Sequence, residues 1–104
     1  MQTITVQQQI QELAMLAKRT ADAMTRQGAV ARLRRLSRTP LELGERREVN
    51  IGHVTMSVRE RGIGRWYVEV RQFGEVLGAY SGTWRTEQDA LRSFGSTLCL
   101  LANS

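Results

Sequence analysis

Residues Arg65–Leu101 constrain the fold more than any other part of the chain, because they read as strand, tight turn, strand and capped helix. Trp66, Val68 and Val70 alternate with Arg65, Tyr67, Glu69 and Arg71, so one face is apolar and the other polar. Phe73-Gly74 supplies the turn, since Gly tolerates the positive φ of a two-residue hairpin loop. Glu75–Gly82 returns as the partner strand. Thr86 then caps a helix, with Asp89 three residues on as a capping-box variant. A sheet backed by a helix packs one face and leaves the other free to bind.

Upstream, Thr5 and Gln8 form a capping box ahead of an apolar stripe at Val6, Ile10, Leu13, Ala17, Ala21 and Met24. At about 100° per residue, Val30, Leu33 and Leu36 fall on nearly the opposite side. One straight helix cannot bury both sets, so the pattern predicts a break near Gln27-Gly28 and a second helix to about residue 38. Thr39-Pro40 ends that helix, because the residue before proline disfavours helical backbone. Leu41–Glu48 reads as a polar connection, Val49–Arg59 as a first strand, and Arg61-Gly62-Ile63-Gly64 as the loop into the second. In the last helix Ala90, Leu91, Phe94, Thr97, Leu98 and Leu101 share a stripe. The expectation is an α+β fold: an N-terminal helix broken near Gly28, a three-stranded antiparallel sheet, and a C-terminal helix on one sheet face. It forms one small domain over 1–104, with a helical part at 1–39 and a β-β-β-α core at 49–104.

The 104 residues suit one hydrophobic core rather than two. No apolar run approaches the roughly 18 residues that cross a bilayer, and no basic-then-apolar leader opens the chain. No membrane role is expected, and the expected location is the cytoplasm. One cysteine, Cys99, excludes an intrachain disulfide; with one histidine, His53, it cannot furnish a four-ligand zinc site of Cys and His. The net charge of +5 points to an anionic partner. Residues 1–48 hold nine Lys/Arg against five Asp/Glu, and 49–104 hold six against five. Residues 26–47 alone contain seven arginines, with Glu42 and Glu45 as their acids.

The run Tyr67-Val68-Glu69-Val70, then Gly74-Glu75-Val76-Leu77-Gly78, Ser81-Gly82 and Glu87-Gln88-Asp89-Ala90, resembles the double-stranded-RNA-binding domain family. That resemblance implies a helix, three strands and a helix, with residues 9–17 as the first helix. The family's phosphate-gripping lysines would fall at Thr86, Glu87, Gln88 and Asp89, so the resemblance implies the fold without the usual grip. The same β-β-β-α order is similar to small DNA-binding domains of phage integrases, which lay a sheet in the major groove. It is also similar to small phage inhibitors of host CRISPR defence. A phage protein of either kind would act in the host cytoplasm.

His53 and Cys99 could in principle form a nucleophile–base pair, but no reactive-cysteine signature surrounds Cys99. A packed thiol and a surface or satisfied histidine are the plainer reading. With no P-loop and no carboxylate–histidine set, the expectation is a non-enzyme with no catalytic residue, metal or cofactor. The arginines carry the functional signal, although fourteen arginines to one lysine can also follow from gene base composition. Arg32, Arg34, Arg35, Arg38, Arg46 and Arg47 are expected to meet phosphates, with Arg61 beside them. Arg65, Tyr67 and Arg71 share a strand face suited to base stacking or to a protein interface. Nucleic acid, or a protein complex that itself binds nucleic acid, fits this pattern as partner. The long first stripe also permits a homodimer.

Overall fold

A computed structural model describes residues 4–104, so the first three residues of the 1–39 part lie outside the description. Helices α1 (Val6–Arg19) and α2 (Ala23–Leu36) precede strands β1 (Arg46–Ile51), β2 (Val54–Glu60), β3 (Trp66–Gln72), β4 (Glu75–Val76) and β5 (Gly82–Trp84). Helix α3 (Glu87–Asn103) closes the chain. The α+β class, the antiparallel sheet and the C-terminal helix on one sheet face are as expected.

The N-terminal helical part is broken, but at Thr20-Ala21-Asp22 rather than at Gly28, which lies inside α2. Polar caps fix the position. Thr20 turns extended, and the Asp22 carboxylate accepts from the Thr25 backbone N–H to start α2. Hydrogen bonds from the Thr25 hydroxyl and backbone hold the Asp22 carboxyl below its usual range. Arg26 closes the end of α1, donating to Ala17 O at 3.1 Å and Thr20 O at 2.6 Å. Ala21 and Met24 are therefore exposed, while Ile10, Leu13 and Ala17 are buried. That buried stripe packs on α2, α3 and β1 of the same chain, so it is not free for the homodimer contact. The Thr5–Gln8 capping box forms as read, with Gln8 N donating to Thr5 Oγ1 at 3.1 Å and Thr5 N to Gln8 Oε1 at 3.0 Å.

The segment read as one strand, Val49–Arg59, is the heart of a hairpin. Ile51 faces Val54 across a Gly52-His53 turn, with Gly52 at φ 62° as a two-residue loop of this kind requires. Part of the polar connection, Arg46–Glu48, belongs to its first strand. The return strand Glu75–Gly82 is also subdivided. Arg71 faces Val76 and Val68 faces Gly82, so the two residues between them on β3 oppose five, Leu77–Ser81, on the returning chain. Leu77 N still donates to Val70 O at 2.7 Å, and Gly78-Ala79-Tyr80 then turn away from the ladder. The Ser81 hydroxyl replaces the lost partner by accepting from Val70 N at 2.9 Å.

Apolar residues of β1, β2 and β3 form one face of the sheet: Val49, Ile51, Val54, Met56, Val58, Val68 and Val70 are all buried. They meet α1 and α3, whose Ile10, Leu13, Phe94 and Leu98 complete the core. Helix α2 packs on α1 and α3, not chiefly on any strand. Gly95 is needed at that junction, since a Cβ there would lie 2.4 Å from Ser37 Oγ.

Candidate nucleic-acid interface

The hairpin turn at Gly52-His53 decides what the other sheet face carries. A two-residue loop changes which side of the sheet odd and even numbers occupy. Val49 and Ile51 point to the core on β1, whereas Val54, Met56 and Val58 do so on β2. Arg59, which shares odd numbering with Val49 and Ile51, therefore lies on the opposite, open face. Register sets three cross-strand rows there. Arg46, Arg59, Tyr67 and Thr83 form the first, Glu48, Ser57 and Glu69 the second, and Asn50, Thr55, Arg71 and Val76 the third.

The first row is the basic end. Arg61 places its guanidinium 5.1 Å from the Tyr67 ring centroid, a cation–π contact that fixes both groups. The β2–β3 loop brings Arg65 to the same end, where Arg61 N donates to Arg65 O at 2.8 Å and Arg65 N to Gly62 O at 3.1 Å. Gly62 at φ 112° permits that reversal. Arg85 follows β5 directly and is exposed. Among the described residues, Arg59, Arg61, Arg65 and Arg85 have no carboxylate within ion-pair distance, while Arg46 lies 3.7 Å from Glu48.

The other rows are more balanced. Arg71 Nε donates to Glu69 Oε1 at 2.6 Å and its Nη1 to Gly74 O at 2.9 Å, so the guanidinium is held in place. The bond from Arg71 holds the Glu69 carboxyl below its ordinary range, with the Tyr67 hydroxyl donating at 3.3 Å as a lesser cause. Past Arg71, His53 and Phe73 stack with ring centroids 4.8 Å apart at the tips of the two hairpins.

Of the residues singled out by sequence, Arg46, Arg61, Arg65, Tyr67 and Arg71 gather on or beside this face. Arg32, Arg34, Arg35 and Arg38 are exposed on or just after α2, beyond the α1–α3 layer. Arg47 belongs to neither group. Its side chain is 1% exposed and turns to the core side, so it cannot meet a phosphate. Its Nη1 donates to Thr39 O at 2.7 Å and Ser37 O at 3.4 Å, and its Nε to Glu45 Oε2 at 3.1 Å. It thereby satisfies carbonyls left over where α2 ends. Arg59 and Arg85 were missed. The signal for Arg59 was the Gly52-His53 turn, and for Arg85 its place directly after the last strand.

His53 and Cys99 lie in separate surroundings. Cys99 is buried in α3, where its thiol donates to Val30 O and burial pushes its pKa up. His53 is exposed in the turn. No group of three or more His, Cys, Asp or Glu residues converges among the described residues. No described helix is long and apolar enough to cross a membrane.

Sixty-one residues of the chain, 59% of its length, are 31% identical to part of the ethylene-responsive transcription factor ERN1 of Medicago truncatula. The chain spans 23% of that protein's length. No family model and no solved structure matches the chain. The likeness is to a transcription factor, and it lends no support to the double-stranded-RNA-binding family or to a phage inhibitor.

Proposed function

We propose that this chain is a non-enzymatic regulatory domain that binds duplex DNA through the open face of its sheet. The observation that carries the reading is the row Arg46–Arg59–Tyr67, ringed by Arg61, Arg65 and Arg85 at one end of that face. Similarity to part of a transcription factor supports the same class of partner.

The major groove of B-DNA, about 12 Å wide, admits a two-stranded ribbon, whereas the major groove of duplex RNA is too narrow for side chains to read. Strands β2 and β3 form such a ribbon. Arg59 and Arg71 project from it toward base edges, where a guanidinium pairs with guanine O6 and N7. Arg71 suits this role because Glu69 and Gly74 O already orient it. Arg46, Arg61, Arg65 and Arg85 lie around the ribbon and take phosphates. Glu48 and Glu69 oppose close approach of a phosphate backbone, yet a carboxylate can accept from cytosine N4. Their place between two arginine rows favours a face that reads bases over one that only grips the backbone.

The test is binding to a pool of random-sequence duplexes, followed by sequencing of the retained fraction. The reading expects an enriched motif, preference for duplex DNA over duplex RNA and single strands, and affinity that falls with salt by about 0.9 log unit per phosphate contact. Equal retention of every sequence, or no duplex binding at low salt, would defeat it.

A further inference from the structure

Arg32, Arg34, Arg35 and Arg38 are not absorbed by the sheet-face reading. At about 100° per residue they cover roughly 160° of arc, opposite Ala29, Val30, Leu33 and Ser37, which are buried. All four are exposed, and none has a carboxylate within ion-pair distance among the described residues. A merely solvated helix face usually interleaves acids with bases at i,i+4. Within α2 there is no acid at all, since Asp22 is its cap. The helix dipole accounts for Arg34 and Arg35 in the last turn, but not for Arg32 before it or Arg38 after it.

This arc cannot serve the same stretch of duplex as the sheet. Helix α2 rests on α1 and α3, which cover the core face of the sheet, so the two basic surfaces look away from each other. A duplex on β2–β3 would have to bend sharply around the helix layer to reach α2, and DNA resists bending on that scale. Resting on the sheet-face reading, we infer that the α2 arc binds phosphates of a second duplex segment, so that one chain bridges two. Arginine forks match phosphate geometry, and the arc offers no base-reading shape, so this second contact is indifferent to sequence.

A bridging assay tests this. One duplex of about 30 base pairs, far below the ~150 base-pair persistence length, is fixed to beads, and a second carries a fluorophore. The wild type should hold the fluorescent duplex on the beads. The variant R32Q/R34Q/R35Q/R38Q should keep its affinity for a single duplex within about threefold, as expected of a remote site. Its bridging should fall about tenfold or more, with a shallower salt dependence. Arg59→Gln with Tyr67→Ala should weaken single-duplex binding and leave the arc intact. A wild type that binds but does not bridge overturns the inference and spares the sheet-face reading. Bridging that survives the quadruple change, as a dimer with two sheet faces would give, also overturns it. Loss of single-duplex binding in the quadruple variant, with the sheet variant unaffected, would instead sink the sheet-face reading and the bridge with it.

Discussion

The two faces of the sheet each carry an Arg–Glu pair, and the pairs do opposite things. On the core side Arg47 is buried, bonded to the partly exposed Glu45 and, through its other donors, to the carbonyls of Ser37 and Thr39. On the open side Arg71 binds Glu69 at 2.6 Å but stays 45% exposed. A buried guanidinium must be fully partnered to tolerate the loss of water, and so becomes part of the framework. An exposed one, even when Glu69 and Gly74 O fix its orientation, keeps N–H donors facing solvent for a ligand. Adjacent residues show the divide most sharply: Arg46 and Arg47 differ by one position, and the pleat alone assigns them to opposite roles.

The largest test of that contrast is truncation of each neighbour in turn. Arg47→Ala leaves Glu45 and several carbonyls without their donor, and should cost about 3–5 kcal/mol in urea unfolding. Arg46→Ala removes an exposed side chain and should stay within about 0.5 kcal/mol. Equal losses from the two would break the distinction between the faces.

Next in size is an effect on binding. Arg59→Gln should weaken binding to the enriched duplex by about 1–3 kcal/mol and relax preference at one base pair, if its fork reads guanine. Stability should change by no more than about 0.5 kcal/mol. Titration by fluorescence anisotropy, beside urea unfolding, separates these outcomes. A uniform loss across all sequences would reassign Arg59 to a phosphate.

What the sequence disclosed follows local signals. Thr5–Gln8 and the alternation from Trp66 to Arg71 depend on near neighbours, and both were legible. The same alternation put Tyr67 on the open face. Two short turns were not legible, because each hides within an otherwise continuous pattern. Gly52-His53 is only two residues long and sits between two alternating runs, so Val49–Arg59 reads as one strand and Arg59 does not stand out. Thr20-Ala21-Asp22 lies in good helical periodicity, and Gly28 drew the break instead. Arg47 was counted with the exposed cations because its carbonyl partners come from the end of α2, a packing fact outside local sequence.

A change in the helix layer gives a control that touches neither face. Gly28 lies inside α2 with no heavy atom within 4 Å of where a Cβ would sit. Gly28→Ala should therefore stabilise the chain by about 0.5–1 kcal/mol, by reducing the freedom of the unfolded backbone. Duplex binding should be unchanged. A loss of stability would mean that Gly28 does mark a bend, as the periodicity first implied.

The smallest effect tests the open-face pair itself. The hydrogen bond from Arg71 depresses the Glu69 pKa in the folded chain relative to the unfolded one. A carboxyl with a depressed folded pKa stabilises the fold above its unfolded pKa, ordinarily about 4.3 for Glu. That contribution disappears as pH falls through the folded value. Glu69→Gln removes it at every pH, so the variant should be less stable than wild type at neutral pH and converge with it in acid. Urea unfolding across that range checks the sign. The effect should be far below that of Arg47→Ala, since water reaches Arg71 and screens the pair. Binding supplies the second half of the comparison. Freed from Glu69, Arg71 gains a donor edge but loses its fixed orientation, so specificity at its base pair should fall even where overall affinity rises with the added positive charge. Unaltered specificity, with convergence in acid intact, would show that Glu69 serves the fold and not the reading of bases.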